Sequence, residues 1–180
     1  NILPPEESTL VTQHLQKRGI DLRFGCELKT IQGTQRVKSI ITSQSETIDC
    51  QLLGISIGVE PSIDFLTNTS LETQRGVLVN EYLETNLPDV YAIGDCAEHR
   101  TPPHGRKSVE QIWYTGRIMG ETIAQTIAGQ RTAYQPGVFF NSAKFFDLEY
   151  QTYGEIPAQC PDDIQSFYWQ HPTQEIAIRI

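Results

Sequence analysis

Asp95 is the residue whose surroundings best suit chemistry. It follows Gly94 at the end of the apolar run Val90 to Ile93. A glycine at the carboxyl end of a strand lets a ligand come close to the backbone, and a carboxylate just beyond it accepts a hydrogen bond from a sugar hydroxyl. A charge-assisted bond of that kind contributes about 1.5 to 3 kcal/mol. The cysteines offer less: Cys26, Cys50, Cys96 and Cys160 lie far apart, with neither C-x-x-C nor C-x4-C spacing. They are expected to be reduced thiols packed as small apolar groups, not zinc ligands or a redox dithiol. Cys96 adjoins Asp95 but has no partner cysteine and no evident base, so it too reads as a packed side chain. His99 and His104 are expected as solvated loop histidines, and Arg100, Arg106 and Lys107 as charges meeting chiefly water.

The elements around Asp95 follow from periodicity. Pro4, Pro5, Glu6 and Glu7 suit a helix start; Leu10, Val11, His14 and Leu15 share one face, and Gly19 ends it. Ile20, Leu22 and Phe24 alternate as a strand, and Leu28 to Ile31, Val37 to Ile41 and Glu46 to Cys50 form a β-meander. Leu52, Leu53, Ile55 and Ile57, closed by Gly58, read as a strand buried on both faces. Strands follow at Gly76 to Asn80 and at Val90 to Ile93. The period of 3.6 over 108–128 predicts a helix that carries Gly116 and Gly120 on its apolar face and stops at Gly129. Beyond it, aromatic β-rich sequence ends in two alternating runs, Gln165 to Gln170 and Gln174 to Ile180, joined by a His171-Pro172-Thr173 turn.

Composition narrows the partners. Fourteen basic against 22 acidic residues give a net charge of -8 in 180 residues, with no basic cluster, which argues against nucleic acid. No apolar stretch approaches the roughly 20 residues of a membrane span, and the first residues lack a signal-peptide layout, so a cytoplasmic protein without a membrane partner is expected. The chain opens at Asn1 and ends inside an apolar alternating run, so it is expected to be a piece of a longer protein.

The stretch Thr85-Asn86-Leu87-Pro88-Asp89-Val90-Tyr91-Ala92-Ile93-Gly94-Asp95-Cys96-Ala97-Glu98 closely resembles the second FAD motif of the pyridine nucleotide-disulfide oxidoreductases. Gly54-Ile55-Ser56-Ile57-Gly58-Val59-Glu60-Pro61 resembles the family's strand that leads through Gly-x-x-Pro from the NAD domain back into the FAD domain. The resemblance covers about residues 5 to 155 and is nearest to the branch of rubredoxin reductases, NADH oxidases and the flavoprotein part of nitrite reductases. Trp113 and Tyr114 stand where that branch more often has small residues.

The resemblance implies an α/β fold, turning α+β at the C-terminus: part of a flavoprotein built from two dinucleotide-binding domains, with a β-rich C-terminal domain. Residues 1–58 would be the end of the NAD(P)-binding domain, 59–129 the end of the FAD-binding domain and 130–180 the start of an interface domain. It implies FAD and NAD(P)H as cofactors, with electrons passing to a small-molecule or small electron-carrier acceptor, and a homodimer formed through the C-terminal domain. The cofactor-binding residues it implies are Gly94, Asp95, Cys96 and Ala97; Glu110, Gln111 and Ile112 in the first turn of a helix beginning near Ser108; and Gly58 and Pro61. It implies no catalytic side chain and no metal. The family's G-x-G-x-x-G loops are missing from the sequence, so the isolated chain is expected to be inactive. The alternative reading is a non-catalytic assembly module derived from the same fold.

Overall fold

The first helix, α1, occupies Pro5–Lys17. Glu6 and Glu7 lie in its first turn and Lys17 in its last, each complementing the peptide dipole, and Leu10 and His14 form its buried face. Gly19 takes the left-handed φ of 79° that ends it, and the Ile20 N–H returns to the Leu15 carbonyl at 3.1 Å. This is a computed structural model, and it describes residues 3–103, 105–154 and 156–180. His104 lies outside the described residues.

The chain divides into two compact units, one of Ser8–Gly58 and one of Asn1–Glu7 with Val59–Ile180. In the first unit β1 (Leu28–Gly33), β2 (Val37–Thr42) and β3 (Thr47–Asp49) form an antiparallel sheet in sequence order, the meander expected from the alternation.

The second unit is built on β4 (Val77–Val79) and β5 (Ala97–His99), a parallel pair with Val77 opposite Ala97 and Val79 opposite His99. The helix α2 (Trp113–Ile127) lays Met119 and Ile123 against them. Val77, Val79, Leu83, Ala92, Ala97 and Tyr134 complete this core; each fully buried aliphatic side chain contributes about 1.5 to 3 kcal/mol. Gly129, at φ 94°, ends α2. The hairpins β6–β7 (Phe140–Phe145, Leu148–Tyr153) and β8–β9 (Tyr168–Gln170, Ala177–Arg179) follow. The His171-Pro172-Thr173 turn closes the second of these: His171 Nδ1 accepts the amides of Thr173 and Gln174 at 3.2 and 3.1 Å.

Three expected strands are not laddered. Residues 20–26 form no strand, and Phe24 is exposed. Leu52 to Ile57 is likewise irregular, with Leu52 88% and Ile57 92% exposed. Val90 to Ile93 is extended but makes only a single bridge, Tyr91 to Glu84. Strands form by exchanging hydrogen bonds with neighbours: among the described residues 20–26 and 52–57 have no ladder partner, and Val90 to Ile93 has only the short 83–85 stretch, through the Ala92 amide to the Leu83 carbonyl at 3.2 Å and the Thr85 amide to the Val90 carbonyl at 3.0 Å. Apolar patterning marks the face a strand buries, and it supplies no partner.

Candidate functional site

The Gly-Asp turn is built from both sides. Upstream, Thr85 closes the 85–90 loop: its Oγ1 donates to the Val90 carbonyl at 2.8 Å and accepts the Leu87 amide at 3.2 Å, and its own amide reaches the Val90 carbonyl at 3.0 Å. That staple aims the extended Val90–Ile93 segment into a 3-10 turn at Gly94–Cys96. Gly94 adopts φ 71°, open to glycine and strained for other residues. Its amide donates to Met119 Sδ at 3.1 Å, so the turn is tied to the buried face of α2. Downstream, Ala97 is fully buried and Glu98 accepts the Gly76 amide at 2.8 Å, holding β5 against β4.

Asp95 stands exposed at this turn, and among the described residues its carboxylate has no hydrogen-bond or ion-pair partner. A Cβ placed on Gly116 would sit 3.6 Å from the Gly94 Cα, so the first turn of α2 packs directly on the Gly94 backbone. Gly120 faces open space. The Gly116 amide is taken by the Ile112 carbonyl at 3.1 Å, whereas the amides of Trp113, Tyr114 and Thr115 have no backbone acceptor among the described residues. A helix start with unmatched N–H groups beside a turn carrying a free carboxylate offers one ligand both donors for an anionic edge and an acceptor for a hydroxyl.

Among the expected binding residues, the structure gathers Gly94, Asp95, Cys96 and Ala97 in this turn. Cys96 is half-buried, its thiol directed to the Ile93 carbonyl at 3.4 Å, and all four cysteines are free thiols. The helix does not begin near Ser108. It begins at Trp113, with Ile112 extended at φ -133°, ψ 132° as its cap. Glu110 and Gln111 therefore precede the first turn. The cause is competition for the backbone and for Glu110: the Ser108 carbonyl accepts the His99 amide at 2.8 Å, and Glu110 is engaged by Arg106. Gly58 ends one unit and Pro61 lies at the start of the other, neither in a helix or strand.

The expectation of solvation is corrected at Arg106 and His99, whereas Arg100 stays exposed with one ion pair. Arg106 forms a two-pronged ion pair with Glu110, both contacts at 2.6 Å, with each side chain only 7% exposed. It also donates to the Gly137 carbonyl at 3.2 Å and lies over the Phe139 ring. Arg100 pairs with Glu72 at 2.5 Å. His99 is buried on β5 and stacked on Tyr134, with ring centroids 5.0 Å apart and planes 8° from parallel. Burial holds the His99 imidazole below its ordinary pKa, the Glu110 carboxylate opposing this and the Arg106 cation adding to it. Burial pushes Tyr134 up to about 12. His99 Nε2 and Tyr134 Oη are buried without a hydrogen-bond partner among the described residues. The four-residue spacing of Arg106 and Glu110 was a visible signal for the pair; the strand after Gly-Asp that buries His99 was not, because only three residues form it.

Comparison with known proteins decides the family. The model of the pyridine nucleotide-disulphide oxidoreductases matches residues 1–127. The chain belongs to that family. It is 28% identical over 150 residues to a rubredoxin-NAD(+) reductase of Ectopseudomonas oleovorans, covering 82% of this chain and 39% of the relative. To an NADH oxidase of Methanocaldococcus jannaschii it is 26% identical over 148 residues, covering 82% and 33%. In fold it is similar to a ferredoxin reductase from Rhodopseudomonas palustris, with a TM-score of 0.76 at 24% identity over 83% of this chain and 37% of that one. An NAD-dependent persulfide reductase from A. fulgidus gives a TM-score of 0.76 at 21% identity, covering 99% and 34%. The chain thus spans well under half the length of these relatives. Among its described residues no helix is long and apolar enough to cross a membrane, and no cluster of three or more His, Cys, Asp or Glu is placed to hold a metal ion.

Proposed function

We propose that this chain is the part of an FAD-dependent NAD(P)H oxidoreductase that holds the flavin end of FAD, in a protein that passes electrons from NAD(P)H through FAD to a second acceptor. The observation that carries the reading is the free carboxylate of Asp95 on the open Gly94 turn, packed against the start of α2. The residues fit the group: Gly94 leaves room for a close approach, Asp95 would accept from a ribitol hydroxyl, and the unmatched amides of Trp113 and Tyr114 would donate to an electron-rich ring edge. When bound, FAD supplies the redox chemistry; the chain supplies position and electrostatics, and none of its side chains is assigned to acid–base work. Cys96 and Ala97 shape the turn. Gly58 and Pro61 belong to the path by which the chain leaves the NAD(P)-binding half.

The acceptor in this reading is a small molecule or a small electron carrier, as the name of the rubredoxin-NAD(+) reductase indicates for that relative. The protein works in the cytoplasm, as a homodimer through its C-terminal hairpins, and residues 1–180 alone are inactive. The test is the absorbance of the purified native gene product and of its Asp95→Ala variant. The wild type should carry FAD, and the variant should bind it about tenfold to a hundredfold more weakly, the equivalent of one charge-assisted hydrogen bond. A native product with no flavin, or a variant with unaltered FAD affinity, would overturn the proposal and leave an assembly module as the better reading.

A further inference from the structure

The Arg106–Glu110 pair is buried to 7% exposure on both sides, and that burial needs a reason. Two charges withdrawn from water lose about as much hydration as they recover from each other, so such a pair adds little net stability and an apolar pair of similar size often does as well. What a fork-to-fork contact supplies is geometry. Here the geometry converges on the start of α2. Arg106 is fixed to the Gly137 carbonyl at 3.2 Å and to the Phe139 ring, on the linker that follows α2. Glu110, gripped at both carboxylate oxygens, passes the constraint along the main chain. The single hydroxyl hydrogen of Thr115 goes chiefly to the carbonyl of the cap residue Ile112 at 2.8 Å, with the Glu110 carbonyl as a second, longer acceptor at 3.3 Å. His99 and Tyr134 are stacked on each other, close enough to the pair that Glu110 and Arg106 act on the ionisation of both rings, and the Tyr134 amide is anchored to the Glu81 carbonyl at 2.7 Å in the turn after β4.

We propose that Arg106 and Glu110 are positioning residues for the flavin: their ion pair fixes where α2 begins, and so aims the free amides of Trp113 and Tyr114 at the space beside Gly94 and Asp95. Neither side chain touches the flavin in this scheme; both act through the helix start. The inference rests on the proposal that FAD binds at that turn.

The test compares the native gene product with Arg106→Met/Glu110→Leu, which removes the fork without leaving a buried charge unpaired, and with Arg106→Lys, which keeps the charge but not the second prong. FAD affinity is read by flavin fluorescence, and the melting temperature of the FAD-free protein is read in parallel. The double variant should melt within a few degrees of wild type yet bind FAD at least about tenfold more weakly, and Arg106→Lys should fall between the two. Wild-type FAD affinity in the double variant overturns the inference. If the double variant does not fold, wild-type affinity in Arg106→Lys overturns it instead. A wild-type protein that binds no FAD refutes the underlying functional proposal, a different outcome from equal binding by all three proteins.

Discussion

Gly76→Ala should destabilise the protein, and the sign of the effect is the informative part. Gly76 does not have a positive φ, so the alanine backbone is unstrained there. On chain entropy alone the substitution would stabilise by about 0.4 to 1 kcal/mol. Space decides otherwise. The new Cβ would lie 2.6 Å from the Cys96 carbonyl oxygen, 3.1 Å from Glu98 Cβ and 3.3 Å from the Glu98 nitrogen. Two of these neighbours are main-chain atoms, and β5 cannot swing away because it is laddered to β4 from Val77 to Val79. Restoring ordinary contact with the oxygen requires a separation of about 0.8 Å, in a pair also held by the Gly76 amide to Glu98 bond. Overpacking of this kind costs about 1 to 3 kcal/mol, leaving a net loss centred on about 1.3 kcal/mol once the entropic gain is subtracted, or about 3 to 5 °C in Tm for a chain of this size. Urea and thermal unfolding of the two proteins measure it. An alanine variant as stable as wild type, or more so, would refute the close β4–β5 approach from which the number is worked.

Other outcomes follow from the same unit. Met119→Ala, which empties a fully buried site and removes the sulfur acceptor of the Gly94 amide, should cost about 2 to 5 kcal/mol by urea denaturation; Met119→Leu should cost less than about 1.5 kcal/mol. Glu84, held by two bonds from Arg131 and one from Asn80, has its pKa lowered to about 2 from 4.5. The unfolded chain takes up that proton at higher pH than the folded one, so the contribution is full above pH 4.5 and is lost as pH falls through about 2. Arg131→Ala should raise the pH at which acid unfolding begins, as followed by circular dichroism, and an unchanged acid limb would count against the pairing.

The parts of the fold that rest on local signals were legible in the sequence. Paired prolines and Gly19 delimit α1, alternation marks the meander, and the His171-Pro172-Thr173 turn closes the last hairpin as expected. The Gly94–Asp95 turn was legible for the same reason, since a glycine needing positive φ and an apolar run before it are both local properties. What the residues could not convey was pairing across distance. Val90 to Ile93 has the composition of a central strand, yet its ladder depends on neighbours that no local pattern encodes. The start of α2 differs from the expected one for a related cause: Ser108 to Ile112 has helical periodicity, but the His99 amide and the Arg106 guanidinium, brought in by tertiary packing, engage Ser108 and Glu110 and the stretch stays out of the helix. His99 itself looked like loop because a three-residue strand has too short a period to read.

The segment from Leu52 to Ile57 has a consequence of its own. It is apolar, and from residue 52 to 58 it makes no backbone–backbone hydrogen bond among the described residues. A stretch in that condition is an adhesive edge, with a row of open donors and acceptors and side chains that favour leaving water, ready to accept any strand of matching length. On the proposed reading of this chain as part of a longer oxidoreductase, a strand of that protein is expected to pair here, which would take Leu52, Ile55 and Ile57 out of water.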